Sequence, residues 1–329
     1  MKSVVLVTAI GTVTSTAIVT ELKKTNEYYI IGADVNQQYE VATSLDVDEY
    51  HVFPYVEDAS YIDFVIQFCK DHNVEYYYAV LDKEVVKISK ERRKFLESGT
   101  KLCVANYEFA KLCHFKNNFN QWIANHIPQL AIKTYSSMEE LPDGSFPVFV
   151  KPVEGVASSG CQKIDTIEEL RTIVSENSFN NEILVQEFIE GDIITVDLVR
   201  NRKTKQKAQI QRRELLRNAN GCGIAVEIMD NPQLREICDN LMEELDLNGV
   251  ANAEFFCLEQ GTFADGRQKR TYKIIEINPR FSAGSRYSCM AGINTVLNAR
   301  RIADRQACEF GFVMAGKHFA ERYEAYPMD

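Results

Sequence analysis

Glu276-Ile277-Asn278-Pro279-Arg280 closes an apolar run from Thr271 to Ile277, and the reading of the fold turns on this stretch. Alternate residues of a strand share a face, so Glu276 and Asn278 present oxygen ligands side by side. An earlier run, Asn252 to Leu258, is joined to it by a polar, Gly-containing turn, which predicts a hairpin. Glu254 lies in that partner strand and adds a second carboxylate across the pair. Two carboxylates this close repel unless a cation sits between them. Carboxylates with an amide oxygen, and neither histidine nor thiolate, suit Mg²⁺ bridging nucleotide phosphates, with Mn²⁺ as a substitute. Arg280 then stands where a fixed fork of donors stabilises developing phosphate charge. The bland alternative is an acid–amide–arginine network that only closes a turn.

Working back along the chain, Phe146-Pro147-Val148-Phe149-Val150-Lys151-Pro152 ends an apolar strand on a lysine. An ammonium in such a place is costly without an anionic partner. The loop that follows, Val153 to Gly160, is rich in small residues whose N–H groups can cradle phosphate oxygens, with Ser158 and Ser159 as further donors. Taken alone it equally reads as an exposed hairpin. The next strand, Ile183 to Gln186, runs into an extended linker, Glu187-Phe188-Ile189-Glu190-Gly191-Asp192. Its backbone amides can read a base edge while apolar side chains sandwich the ring. Lysine, phosphate loop, adenine-type linker and paired acids, in that order, make one coherent nucleotide–metal site.

The residues before 110 alternate apolar strands with amphipathic helices. Val4 to Thr8, Tyr28 to Ala33, Tyr76 to Leu81 and Lys101 to Ala105 read as strands, with helices at Thr16 to Lys24 and Tyr61 to Cys69. This predicts a doubly wound parallel α/β domain. Gly11 follows the first strand, but the other two glycines of a dinucleotide fingerprint are missing, so a plain strand-to-helix turn is the better reading. Ala110 to His126 reads as one helix. Beyond it the pattern becomes antiparallel, with helices at Thr166 to Ser175 and Pro232 to Leu245. The fold class expected is therefore α/β plus α+β.

Composition narrows the function. The 329 residues are 45% hydrophobic and 26% charged, with a net charge of −10. That is an ordinary globular balance, and its sign repels nucleic acid. Short basic clusters such as Arg200 to Lys207 read as solvated hairpin tips. Nine cysteines lie singly, with no CxxC pair and no metal-ligand spacing beside the five histidines, which predicts free thiols in a reducing, cytoplasmic setting. Met1-Lys2 leads straight into Ser3 to Val7, which predicts no secretory leader, and no apolar run approaches a membrane span.

On these motifs the sequence resembles the ATP-grasp superfamily, in the branch similar to the large subunit of carbamoyl phosphate synthase and to biotin carboxylase. The resemblance implies a preceding α/β domain over 1–110, an ATP-grasp subdomain with the phosphate loop over 111–186, and a second one with the metal site over 187–329. His114-Phe115-Lys116-Asn117-Asn118-Phe119 resembles the family's D-K-x-x-F stretch, which makes Lys116 the first nucleotide lysine and Lys151 the second. Gly155, Ser158, Ser159 and Gly160 fall in the phosphate-covering loop, and Glu187, Phe188 and Ile189 in the adenine-contacting hinge. Glu254, Glu276 and Asn278 match the metal ligands, and Arg280 the phosphate-contacting arginine. Three departures stand out. Gly191-Asp192-Ile193 replaces a G-x-E ribose segment, leaving Asp192 as substitute; Phe115 replaces an aspartate; and the phosphate loop is poor in glycine.

Family chemistry implies ATP and Mg²⁺ as cofactors and small-molecule carboxylate and amine substrates, joined through an acylphosphate. Arg213, Ser285 and Arg286 are placed by chain position to hold an anionic substrate, or else are ordinary surface residues. A homodimer is implied as well, since relatives often dimerise. The competing readings are a carbamoyl-phosphate-forming or other phosphotransferase of the same fold, and a non-catalytic nucleotide-binding protein.

Overall fold

The computed structural model describes residues 2–153, 160–176, 179–262 and 268–328. The first layer is a five-stranded parallel sheet built from β1 (Ser3–Thr8), β2 (Tyr28–Asp34), β3 (Glu49–Val52), β4 (Tyr76–Tyr78) and β5 (Lys101–Leu102), in the order β3-β2-β1-β4-β5. Val5, Leu6 and Val7 of central β1 are fully buried, as a strand covered on both faces requires. The helices are α1 (Val13–Thr25), α2 (Tyr61–Asp71), α3 (Asp82–Lys90) and α4 (Arg92–Glu97). The Thr12 hydroxyl caps α1 by accepting from Ser15 N at 3.3 Å. Gly11 N donates to Asp34 Oδ2 at 2.9 Å. A carboxylate therefore occupies the glycine turn, consistent with a plain connection.

The helix expected at Ala110 to His126 is two helices, α5 (Tyr107–His114) and α6 (Lys116–His126). Phe115 between them is extended, with φ −91° and ψ 102°, and this break makes Lys116 the first residue of a helix. A small antiparallel sheet follows, in the order β6-β9-β7-β8, from β6 (Thr134–Tyr135), β7 (Val148–Pro152), β8 (Gln162–Ile164) and β9 (Ile183–Glu187). With α7 (Ile167–Glu176) it has its own core around Val148, Val150, Leu170 and Val185.

The large sheet is antiparallel and six-stranded, ordered β14-β13-β10-β11-β12-β15. It comprises β10 (Asp192–Asn201), β11 (Gln206–Arg217), β12 (Gly223–Met229), β13 (Gly249–Thr262), β14 (Gln268–Asn278) and β15 (His318–Ala320), with α8 (Pro232–Glu244), α9 (Ser285–Met290) and α10 (Thr295–Ala303). One face buries Ile194, Val196, Phe255 and Ile274 against Phe109, Phe119 and Leu241 from α5, α6 and α8. Burying each such side chain contributes about 1.5–3 kcal/mol. A second core runs from Val5, Ile18 and Tyr78 of the first layer to Ile210, Val226, Tyr287 and Val296, so the first layer and the large sheet share apolar packing. Tyr78 Oη donates to Val296 O at 3.0 Å, and Lys101 pairs with Asp304 at 2.8 Å across the same boundary. Among the described residues no helix is long and apolar enough to cross a membrane. All nine cysteines are free.

Candidate active site

The site grows from a fault in the ladder between β13 and β14. Glu254 stands opposite Glu276, but the next pair is Phe255 with Ile274, so Ile275 is an extra residue without a partner. This β-bulge changes the parity of the strand. Tyr272 and Ile274 point into the core, and unbroken alternation would send Glu276 after them. With the bulge Ile277 takes the core position instead, and Glu276 and Asn278 are left on the open face, only partly buried. The bulge also gives the Ile275 carbonyl a new role, accepting from Lys151 Nζ at 3.5 Å.

Two rows of side chains cross that face. The first runs Arg212, Thr195, Glu254, Glu276 over β11, β10, β13 and β14; the second runs Asp197, Asn252, Asn278 over β10, β13 and β14. Burial, and then the facing Glu276 carboxylate, push Glu254 up to about 7. Arg217 Nη2 pairs with Glu254 Oε2 at 3.2 Å and opposes that rise. Asn278 Nδ2 donates to Glu276 Oε1 at 3.0 Å, and its Oδ1 accepts from Arg280 Nη2 at 3.3 Å. Arg280 is held from outside the sheet, because its Nε donates to Asp82 Oδ2 at 2.8 Å from the start of α3.

The two lysines come from other elements, Lys116 from the start of α6 and Lys151 from β7. Lys151 is the penultimate residue of β7 and is only 4% exposed. Burial pulls its ammonium down to about 8, Glu276 works against that, and neighbouring Lys116 adds to it. Lys116 Nζ lies 4.0 Å from Glu276 Oε2, so both lysines and Glu276 form one charge cluster. Burial pushes the Cys161 and Cys222 thiols up, which keeps them neutral beside the acids. Two carboxylates and an amide, with no competing thiolate, fit a hard divalent cation such as Mg²⁺.

Other expected residues fall around this centre. Glu187 ends β9; its backbone N donates to Lys133 O at 2.9 Å and its Oε1 accepts from Lys133 N at 3.0 Å. Phe188 lies beneath Lys163 Nζ, 5.1 Å from the ring centroid, and Ile189 is half-buried in the same linker. Asp192 is exposed and lies 3.6 Å from Arg213, which also approaches Glu227 at 3.8 Å. Gly160 sits at φ +74°, where an added Cβ would meet Pro152 Cγ at 2.9 Å, so glycine is required there. Gly155, Ser158 and Ser159 lie outside the described residues. Arg286 pairs with Glu321 at 3.5 Å. Ser285 is fully buried, with its Oγ 3.5 Å from Ser282 Oγ.

Sequence reasoning missed what supports the acids. Arg212 and Asp197 are both 1% exposed and joined by Nη1 to Oδ2 at 2.7 Å. Asp197 also accepts from Ser288 Oγ at 2.6 Å and Asn252 Nδ2 at 3.1 Å, and Arg212 donates to Ser282 Oγ at 3.1 Å. Gly284 makes room: a Cβ there would lie 2.9 Å from the guanidinium. The available signal was a charge alternating with apolar residues inside a strand, as in Val196-Asp197-Leu198.

A parallel α/β layer followed by two antiparallel sheets, with two lysines near a carboxylate pair, makes an α/β plus α+β protein. Residues 179–309 match the family model described as ATP-grasp in the biosynthetic pathway with Ter operon, and residues 5–103 match PylC-like, N-terminal domain. Each match is to a part of the chain: residues 179–309 are similar to an ATP-grasp domain and residues 5–103 to a PylC-like N-terminal domain.

Solved structures agree at the level of the fold. The biotin carboxylase domain of Hydrogenobacter thermophilus 2-oxoglutarate carboxylase, described as a dimer with MgADP, ADP and bicarbonate, matches with a TM-score of 0.70 and 14% identity over 97% of this chain and 73% of that one. The N5-carboxyaminoimidazole ribonucleotide synthetase of Thermotoga maritima matches at 0.63 and 18%, covering 95% and 79%. The L-amino acid ligase of Bacillus licheniformis matches at 0.66 and 15%, covering 92% and 74%. A local similarity, 36% over 62 residues, joins the chain to the D-alanine–D-alanine ligase of Francisella philomiragia subsp. philomiragia; it spans 19% of this chain and 21% of that protein.

Proposed function

We propose that this chain is an ATP- and Mg²⁺-dependent ligase that activates a carboxylate as an acylphosphate for attack by an amine or ammonia. The observation that carries the reading is the opposition of Glu254 and Glu276 on paired strands, with Lys116 from the start of α6 and Lys151 from the small sheet both near Glu276. The proposal treats 1–110 as the preceding domain and 111–186 and 187–329 as the two jaws.

Each side chain has a task in this scheme. Lys116 and Lys151 hold the triphosphate by charge, and Lys151 is pre-positioned on the Ile275 carbonyl rather than mobile in water. Gly155, Ser158, Ser159 and Gly160 belong to the phosphate-covering loop. Glu187, Phe188 and Ile189 seat the adenine, and Asp192 the ribose. Glu254, Glu276 and Asn278 would hold Mg²⁺, which when bound neutralises charge on the β- and γ-phosphate oxygens. Arg280, fixed by Asp82, aims its remaining guanidinium donors at the transferring group. A substrate carboxylate oxygen forms a bond to the γ-phosphorus as the bond to ADP breaks. The amine nitrogen then bonds to the acyl carbon, phosphate departs with the C–O electron pair, and the nitrogen loses a proton. Arg213 and Arg286 are the candidates for steering the anionic substrate.

The relatives named as ligases put amino acids first among the acids and amines to try. The test is phosphate release from ATP with pairs of carboxylic acids and amines. The reading requires release that depends on both partners. Phosphate left on the acceptor would make the chain a kinase, and release indifferent to acid and amine would remove the ligase assignment.

A further inference from the structure

Far along the first sheet from the nucleotide site, at its β3 edge, three side chains converge. Glu49 and His51 are two residues apart on β3 and so share a face. His72 caps the C-terminal end of α2 and folds back over them. Glu49 Oε1 is 2.5 Å from His51 Nε2 and 3.6 Å from His72 Nε2, and one ligand atom from each of the three lies within 4.8 Å of the others. The side chains are about one-third exposed, leaving room for a water as a further ligand.

The outer contacts orient the three. His72 Nδ1 is 3.0 Å from Phe68 O, which can only accept, so Nδ1 donates there and Nε2 is turned toward Glu49. Phe68 stacks on the same ring at 3.9 Å between centroids and packs edge-on to His51 at 4.9 Å. Tyr29 Oη donates to Glu49 Oε2 at 3.3 Å, fixing one carboxylate oxygen and leaving Oε1 to the cluster. A backbone carbonyl behind one imidazole and a hydroxyl behind the carboxylate are the supports that metal ligands carry.

We propose that Glu49, His51 and His72 bind one divalent transition-metal cation of the zinc type, pinning edge strand β3 to the end of α2. Two imidazoles and one carboxylate favour zinc over the hard cation of the nucleotide site. Zinc-ligand bonds of about 2.0–2.2 Å put tetrahedral ligand atoms roughly 3.4 Å apart, so Glu49 and His51 must separate by roughly 1 Å. The proton that His51 Nε2 donates to Glu49 moves to Nδ1 or to buffer as the cation takes its place.

The test uses the full chain stripped with chelator, then titrated with Zn²⁺ by calorimetry and with Co²⁺ by visible absorption. One equivalent is expected, with a tetrahedral Co²⁺ spectrum free of thiolate charge-transfer bands. Affinity should fall by more than about 100-fold in H72N and E49Q, and about tenfold in Y29F, where only an outer hydrogen bond is lost. E276Q should bind Zn²⁺ as the parent does, which separates this site from the nucleotide site. Chelator-treated H72N must unfold at the parent's midpoint; if it does not fold, H51N reads the same loss. Undiminished affinity in the folded variant, or thiolate bands in the Co²⁺ spectrum, would overturn the proposal.

Discussion

Arg280 leaves the end of β14 and donates from Nε to Oδ2 of Asp82 at 2.8 Å, so a carboxylate of the first α/β layer aims an arginine of the large sheet. Asp82 opens α3, where a negative charge also suits the helix N-terminus. The first α/β layer thereby contacts the candidate site.

This predicts that D82N lowers phosphate release about 10- to 100-fold, the range expected from losing a hydrogen bond between charged groups. The urea midpoint should move little, because Arg280 keeps Asn278 and the Phe281 carbonyl as acceptors. Parent-like turnover in D82N would show that Arg280 needs no outside support.

Lys151 predicts a pH dependence. Its folded value of about 8 lies below the ordinary 10.5, so between these the folded chain binds fewer protons than the unfolded one. Stability therefore rises with pH across that window, as the buried ammonium is released from its charge. ATP binding has the opposite sense: affinity should weaken as pH climbs past about 8 and the lysine's charge is lost. Calorimetry from pH 6.5 to 9.5 checks this, and K151R, which stays charged throughout, should flatten the curve.

The Arg212–Asp197 pair predicts a stability effect. Removing one partner leaves a buried charge without its counterion, so D197A should cost about 3–5 kcal/mol in urea unfolding. A cost near that of a surface substitution would mean that Ser282 and Ser288 suffice to hold the guanidinium.

Much of this architecture was legible in the chain. The Val4 to Thr8 run and its successors announced a parallel layer, and the spacing of Glu254, Glu276 and Asn278 announced an acid-bearing hairpin. The bulge at Ile275 was not read, although Tyr272, Ile274 and Ile277 change parity along the strand and so encode it. The break at Phe115 was missed because helical periodicity runs through it without a proline or glycine. Asp82 and Arg280 are far apart in the chain, and Glu49, His51 and His72 come from a strand and a helix end. Such partnerships depend on tertiary placement, which no local spacing reveals. The burial of Ser285 was likewise not legible, because chain position near the acids says nothing about which way a side chain faces.

The central claim is that Glu254, Glu276 and Asn278 hold the divalent cation that tethers ATP. Electron paramagnetic resonance of Mn²⁺, titrated into the protein with ATP present and again into E254Q and E276Q, reads that claim without knowledge of the acid or amine. The account predicts tight, ATP-dependent Mn²⁺ binding in the parent, weakened at least about tenfold in each variant. Equal binding in all three proteins would contradict it.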